Sequence, residues 1–187
     1  LAICGLDMKE KGTLKNDTIV GTVMSNLGLN IMGKENGITI EQANVGDRYV
    51  LERMLEAGHN LGGEQSGHVI FLDHNTTGDG ILTAIQLLSV MKRTGKKASE
   101  LAQAMEVLPQ VLVNARVNNA KKNTYMDVPA IRHAIEKLEQ EFSTDGRVLI
   151  RTSGTEPLVR VMIEGKDLEK MNRAAKELAA FIEKTLQ

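Results

Sequence analysis

Strand-like and helix-like segments alternate along the first part of the chain. Residues 18–24 and 37–43 have the apolar or alternating pattern of strands, whereas residues 49–57 have the spacing of an amphipathic helix. A short apolar run follows at residues 69–72, and a longer helical pattern follows at residues 80–93. Because a sheet and its helices bury their apolar faces against one another, this order predicts an α/β domain, a mixed sheet with flanking helices.

A polar stretch at residues 118–123 marks the clearest change in composition. The residues beyond it predict a helix over about 127–142, then two strands, then a helix over about 167–186. We therefore predict two domains, residues 1–110 and residues 111–187. The second is expected to be a small α+β domain in which a sheet packs against two helices.

The helix predicted at residues 80–93 carries two further signals. Asp79 precedes it and is a suitable N-cap residue. Four apolar residues are spaced along one face of this helix: Ile81, Ala84, Ile85 and Leu88. This spacing predicts a stripe that faces the core, and an interface with a partner helix is the alternative.

Composition excludes several classes of function. The chain has 187 residues, of which 42% are apolar and 25% charged, and its net charge is −1. No overall basic field is available to bind nucleic acid or an anionic membrane, so neither is an expected partner. No apolar run approaches the roughly 18 to 20 residues of a transmembrane helix. The single cysteine, Cys4, cannot form an internal disulfide, and a cytoplasmic location is expected.

A polar decapeptide at residues 151–160 separates two strand-like runs and predicts a hairpin. If the hairpin is symmetric about residues 155 and 156, Arg151 and Arg160 lie opposite each other, where like charges repel. An anion held between them would remove that repulsion. Hydroxyl groups and a glycine lie between the arginines: Thr152, Ser153, Gly154 and Thr155. This set is typical of a phosphate site; the alternative is a polar hairpin whose arginines pair with surface carboxylates.

A glycine-rich polar segment at residues 61–68 is the second candidate site. Glycine loses more conformational entropy on folding than other residues, so three glycines in a short stretch are unfavourable in a core element. They are expected where the backbone must approach a ligand closely. The polar side chains of this segment are Glu64, Gln65, Ser66 and His68. Among them His68 alone suits general acid–base catalysis. A glycine-rich turn that faces water, with a structural histidine, is the alternative.

Other chemistries lack support in the sequence. The four histidines show no spacing of a metal site, and we predict that this chain binds no metal. Neither a nucleophile elbow nor a Walker A or dinucleotide-binding glycine motif is present. The carboxylate, hydroxyl and arginine groups that remain suit a phosphorylated polyol.

Both candidate segments resemble motifs of the α-D-phosphohexomutase family. Residues 63–68, Gly-Glu-Gln-Ser-Gly-His, resemble the family's sugar-binding loop, and residues 151–157, Arg-Thr-Ser-Gly-Thr-Glu-Pro, resemble its phosphate-binding loop. Together with residues 45–49, Val-Gly-Asp-Arg-Tyr, the first motif is similar to that of bacterial members that act on glucosamine phosphates. The resemblance runs along essentially the whole chain.

The resemblance implies a four-domain enzyme of which this chain is the third and fourth domains. Such an enzyme interconverts glucosamine 6-phosphate and glucosamine 1-phosphate through a phosphoserine and a bisphosphorylated sugar. The phosphoserine loop and an aspartate-rich Mg²⁺ loop would precede Leu1. The expected partners are therefore a phosphorylated amino sugar and the missing N-terminal domains, and Mg²⁺ is expected outside this chain. The chain alone is expected to be inactive.

The resemblance also implies roles for individual residues. Glu64 and Ser66 would hold sugar hydroxyls, and His68 would lie near the transferring phosphoryl group as a general acid or base. Five residues would grip the non-reacting phosphate: Arg151, Ser153, Gly154, Thr155 and Arg160. Two alternatives stay open, a family member that acts on mannose and glucose phosphates and a stand-alone phosphosugar-binding module without catalysis.

Overall fold

Two separate sheets organise the chain. The computed structural model describes all 187 residues, which divide into two units, Leu1–Val107 and Leu108–Gln187. Each unit contains one of the sheets. The domain boundary predicted after residue 110 lies near this division and stays a prediction. None of the helices combines the length and the apolar character that crossing a membrane requires.

The first unit is an α/β domain built on a four-stranded sheet. Its elements are α1 (Ala2–Glu10), β1 (Thr18–Thr22), α2 (Leu27–Glu35), β2 (Thr39–Ala43), α3 (Asp47–Ala57), β3 (Leu61–Gly63), β4 (Val69–Phe71), α4 (Gly80–Thr94) and α5 (Ala98–Leu101). The strand order is β2-β1-β3-β4. Strand β1 is parallel to β2 and β3, whereas β3 and β4 form an antiparallel hairpin. The predicted mixed sheet with flanking helices is thus confirmed.

The central strand β1 is buried on both faces. Its neighbouring residues Ile19 and Val20 are both completely buried, yet they belong to different apolar clusters. Successive side chains of a strand point to opposite faces of the sheet, so the two clusters lie on its two sides. Met32 of α2 packs in the first cluster and Met54 of α3 in the second. This two-sided core fixes the sheet from which the β3–β4 hairpin extends.

The second unit is the predicted small α+β domain. Its elements are β5 (Gln110–Arg116), a 3₁₀ segment (Lys122–Asp127), α6 (Pro129–Glu141), β6 (Arg147–Thr152), β7 (Leu158–Glu164) and α7 (Leu168–Leu186). The antiparallel sheet has the order β5-β7-β6, which places β7 in the centre. Ile131 of α6 and Ile182 of α7 pack with Val161 of β7 in one buried cluster. The sheet therefore packs against two helices, as predicted.

The apolar stripe on α4 faces solvent, and the prediction that it faces the core is wrong. Ile81, Ile85 and Leu88 are 77%, 57% and 59% exposed. The buried side of the helix is formed instead by Val90, with Leu82 packed against the core cluster. Spacing identifies the residues that share a face but does not determine which face meets the sheet. The predicted N-cap is confirmed, because the Asp79 carboxylate accepts a hydrogen bond from the Leu82 N–H at 2.9 Å.

The exposure of Ile85 leads to a stability prediction. Replacing Ile85 with Ala in the 187-residue chain is expected to change the free energy of unfolding by less than about 0.5 kcal/mol, as at other exposed sites. Val90→Ala in the same helix is the matched control and is expected to cost about 1–2 kcal/mol, because two buried methyl groups are lost. Amide hydrogen exchange of the residues of α4 and of the first sheet measures both, because it reports the first unit by itself. A loss of 2 kcal/mol or more for Ile85→Ala would contradict the assignment of the exposed face.

Candidate functional site

The hairpin at residues 151–160, called here the arginine hairpin, has the register that the sequence predicts. Strands β6 and β7 are antiparallel, and Arg151 is the direct cross-strand partner of Arg160. Directly opposed residues of two strands lie on the same face of the sheet. The structure therefore brings the two guanidinium groups together on one face, beside the loop that joins the strands.

The two arginines differ in their carboxylate partners. Arg160 donates from Nη2 to Glu156 Oε2 at 3.0 Å, whereas Arg151 forms no ion pair. The Nε atoms of both arginines are buried and have no hydrogen-bond partner. Burial, and secondarily the charge of Arg160, lower the pKa of Arg151 below its ordinary value. Unsatisfied buried donors and an unpaired cation favour an anionic ligand at this face. The alternative of carboxylate pairing applies to Arg160 alone.

Ser153 shapes the loop of the arginine hairpin from inside. It is 2% exposed, and its Oγ accepts the Glu156 N–H at 3.2 Å. The same oxygen lies 3.5 Å from Nη2 of Arg160, so the hydroxyl also helps to hold that guanidinium. Residues 154–157, which include Gly154 and Thr155, form the exposed part of the loop. A loop of this kind presents the backbone and the Thr155 hydroxyl to a ligand.

Lys122 also contacts this loop, and sequence reasoning missed it. Its Nζ donates to the main-chain carbonyl of Ser153 at 2.9 Å and lies 3.3 Å from that of Glu156. Lys122 stands 31 positions before Ser153, in a polar stretch with several lysines and asparagines. Its type and its neighbours in sequence give no signal of the contact, which exists only because the 3₁₀ segment folds back on the hairpin.

The structure also brings together the three polar residues predicted in the first unit. The β3–β4 hairpin closes through a hydrogen bond from the Glu64 N–H to the His68 carbonyl at 2.9 Å. Its turn contains Gly67 at φ +103°, a backbone conformation that residues with a side chain rarely adopt. Ser66 Oγ lies 2.6 Å from Glu64 Oε1 and 3.0 Å from His68 Nδ1. We refer to residues 64–68 as the histidine loop.

The hydrogen bonds of the histidine loop determine which imidazole nitrogen is free. The Ser66 hydroxyl has one proton, and the short contact assigns it to the acceptor Glu64. The Ser66 oxygen is then the acceptor for Nδ1–H of His68, and in the neutral imidazole this leaves the Nε2 lone pair available. The His68 side chain is 52% exposed. It can therefore exchange a proton with a bound ligand at Nε2.

Gly78 is a second contact that the sequence analysis did not identify. A Cβ added to Gly78 would lie 3.1 Å from both Cβ and Cδ2 of His68. The absence of a side chain thus lets the segment before α4 pack closely against the imidazole ring. The neighbouring Asp79 is used as the cap of α4, and a hydrogen bond from the Leu82 N–H is the main cause of its lowered pKa.

Metal ligands are not gathered anywhere in the chain. No group of three or more His, Cys, Asp or Glu side chains is arranged to hold a metal ion. The residues of this chain therefore do not fit a Mg²⁺ site. The chemistry that the two loops offer is anion binding, hydrogen bonding to hydroxyls and proton exchange.

Family comparison covers nearly the whole chain in two segments. Residues 1–108 match the family described as phosphoglucomutase/phosphomannomutase, alpha/beta/alpha domain III. Residues 112–181 match the C-terminal domain of phosphoglucomutase/phosphomannomutase. Each segment contains one of the two loops, the histidine loop in the first and the arginine hairpin in the second.

Close relatives are proteins named phosphoglucosamine mutase. That of Ruminiclostridium cellulolyticum is 64% identical over 183 residues, which is 98% of this chain and 41% of the relative. That of Acetivibrio thermocellus is 62% identical over 186 residues, which is 100% of this chain and 41% of the relative. The chain therefore spans about two fifths of the length of the curated relatives it matches.

Solved structures with low sequence identity share the fold. An Aspergillus fumigatus N-acetylphosphoglucosamine mutase structure has a TM-score of 0.79 at 18% identity, over 98% of this chain and 43% of that chain. The same fungal enzyme in complex with GlcNAc-6P and magnesium has a TM-score of 0.78 at 16% identity, over 100% of this chain and 44% of that chain. Both support the arrangement of elements described above.

Proposed function

The chain belongs to the phosphoglucomutase/phosphomannomutase family, and from that premise we propose that it supplies substrate recognition to a phosphoglucosamine mutase. The whole protein would interconvert glucosamine 6-phosphate and glucosamine 1-phosphate. The observation that carries the proposal is the direct pairing of Arg151 with Arg160 across β6 and β7, with a buried donor of each lacking a partner. A phosphate dianion provides the charge and the acceptors that this pair needs.

The arginine hairpin is proposed to hold the phosphate that does not react. Arg151 has no competing carboxylate, whereas Arg160 would exchange its exposed contact with Glu156 for the ligand. Gly154 and Thr155 would add a backbone N–H and a hydroxyl, because both are exposed in the loop. Ser153, buried in the loop, would act by holding its shape and by its contact with Arg160.

The histidine loop is proposed to bind the sugar and to move a proton. Glu64 and Ser66 would hydrogen-bond sugar hydroxyls, and their mutual contact orients them together. When a sugar hydroxyl attacks a phosphoryl group its proton must leave, and Nε2 of His68 can accept it. In the reverse transfer the P–O bond to the sugar breaks, and the same nitrogen returns a proton to the departing sugar oxygen, which becomes a hydroxyl. Holding the reactants in place and offering matched charges is most of what phosphoryl transfer requires from a protein.

Other parts of the whole protein would complete the enzyme. We propose that they carry the phosphoserine, which gives a bisphosphorylated sugar as the intermediate, and the ligands of Mg²⁺, an ion that stabilises phosphoryl charge. The two domains of this chain, residues 1–110 and 111–187, would contribute one loop each. The expected location is the cytoplasm, where the lone buried thiol of Cys4 remains reduced.

An activity on mannose or glucose phosphates is the second candidate within the family. The family descriptions name phosphoglucomutase and phosphomannomutase. Glucosamine phosphate is favoured because relatives that are 64% and 62% identical are named phosphoglucosamine mutases.

Assays of the full-length protein test the proposed substrate. We expect kcat/KM for glucosamine 6-phosphate to exceed those for the glucose and mannose phosphates by at least about 10-fold, the scale of one hydrogen bond to the C2 substituent. The 187-residue chain is expected to show no turnover. Inorganic phosphate added to the ¹⁵N-labelled chain should shift the amide signals of residues 151–160. A preference for mannose phosphate, or shifts scattered over surface lysines, would contradict the proposal.

A further inference from the structure

The loop of the arginine hairpin places two main-chain carbonyls near its proposed ligand. The carbonyls of Ser153 and Glu156 lie on either side of Gly154 and Thr155. A carbonyl oxygen carries partial negative charge, so a carbonyl that turned toward a bound phosphate would repel it. A phosphate loop needs its carbonyls on one side and its N–H groups on the other.

Lys122 holds the Ser153 carbonyl on its own side of the loop and also contacts the Glu156 carbonyl, which accepts the Leu158 N–H at 2.8 Å. Its Nζ is 2.9 Å from the Ser153 oxygen and 3.3 Å from the Glu156 oxygen. In a trans peptide the C=O of one residue and the N–H of the next point in opposite directions. A fixed Ser153 carbonyl therefore turns the N–H of Gly154 away from Lys122, toward the opposite side of the loop.

The 3₁₀ segment that carries Lys122 is itself attached to the hairpin. Tyr125 of this segment donates its hydroxyl to the carbonyl of Ile150 at 3.2 Å, on the edge strand β6. Lys122 and Tyr125 are both partly buried. Two side chains from one short segment thus brace the hairpin, one at strand β6 and one at the loop, which keeps Nζ of Lys122 in position.

We propose that Lys122 is a positioning residue for phosphate binding by the arginine hairpin. Its ammonium group turns the Ser153 carbonyl away from the anion and thereby directs the Gly154 N–H toward it. This inference rests on the proposed function of the hairpin. Preorganising the loop before the ligand arrives lowers the cost of ordering it, which is the physical source of the expected gain in affinity.

Three variants at Lys122 and one at Lys121 test this role by titration of the ¹⁵N-labelled 187-residue chain with inorganic phosphate. Lys122→Met keeps the side-chain stem and removes the donors, and it is expected to raise the Kd by about 10-fold. Lys122→Arg restores donors and charge and should return the Kd to within about 3-fold of the wild type. Lys122→Gln, with one amide donor group, should lie between them and serves as the measurement if Lys122→Met does not fold.

Lys121→Met is the matched control for charge. Lys121 is an exposed neighbour whose Nζ contacts a main-chain oxygen of Gln187 at 2.6 Å instead of the loop. Its loss should leave the Kd unchanged. In the full-length protein, Lys122→Met should raise KM for glucosamine 6-phosphate and keep kcat, because the non-reacting phosphate is held equally in the ground and transition states.

The outcomes separate this inference from the proposed function. If the wild-type chain binds no phosphate, the proposed function fails and this inference fails with it. If the wild type binds phosphate and Lys122→Met or Lys122→Gln binds it equally well, the role of Lys122 alone is overturned. Equal weakening by Lys121→Met would show a general effect of charge and would also overturn it.

Discussion

Replacing Arg160 with Ala in the full-length protein is expected to lower kcat/KM for glucosamine 6-phosphate by about 30- to 1000-fold. This range corresponds to about 2–4 kcal/mol, the scale for losing a charge-assisted contact to a phosphate. The reason lies in the geometry of the hairpin, where Arg160 faces Arg151 across the strands and its buried Nε has no partner in the chain. Steady-state kinetics at fixed ionic strength measure the effect.

Folding of the variant should be unaffected, which separates binding from stability. Removing Arg160 also removes its repulsion with Arg151, and the hairpin without ligand loses only an exposed pair with Glu156 and a long contact of 3.5 Å with Ser153 Oγ. Arg173→Ala, at an exposed position of α7, is the matched control and should leave kcat/KM unchanged. An unchanged kcat/KM for Arg160→Ala would remove this residue from the phosphate site.

Replacing Glu164 with Ala is expected to destabilise the second unit by about 3–5 kcal/mol, the cost of breaking a buried ion pair. Glu164 is completely buried on the central strand β7. Its carboxylate accepts from Arg147 Nε at 2.5 Å and from Gln110 Nε2 at 3.2 Å, and both partners lie directly opposite it on the neighbouring strands. The change removes the buried acceptor that the partly buried Arg147 and the exposed Gln110 share.

Amide hydrogen exchange of the β7 residues measures the stability of this unit by itself, since the chain has two units and one global transition would mix them. Glu141→Ala, in the same unit, is the control. It breaks a largely exposed pair with Lys170 and should cost less than about 1 kcal/mol. If Glu164→Ala costs no more than this control, the buried pair is not a main support of the sheet.

The register of the arginine hairpin was the part of the candidate site that could be predicted most fully from sequence. The polar decapeptide between two apolar runs locates the turn, and the turn of a hairpin sets its pairing register. The pairing of Arg151 with Arg160 followed from that register and is confirmed. The grouping of Glu64, Ser66 and His68 was predictable for a similar reason, since all three lie in one short loop between paired strands.

The contacts made by distant residues could not be predicted in the same way. Lys122 reaches the loop from 31 positions away, and Glu164 meets Gln110 across 54. Gly78 packs against His68 from a loop on the other side of β4. Nothing in the type or spacing of these residues distinguishes them from others of their kind.

The exposed stripe of α4 shows that residue type and spacing were also insufficient within a single helix. Periodicity correctly grouped Ile81, Ile85 and Leu88 on one face, but the opposite face, with Val90, is the one that is buried.

The order of strands and helices, the two fold classes, the hairpin register and the family motifs were all predictable from sequence. These depend on periodicity, caps and turns, which act over a few residues. Only the three-dimensional fold shows which face of α4 is covered, which lysine contacts the loop of the arginine hairpin and which partners the Glu164 carboxylate has. Those outcomes depend on which segments pack together, and packing is set by the burial of apolar surface over the whole unit.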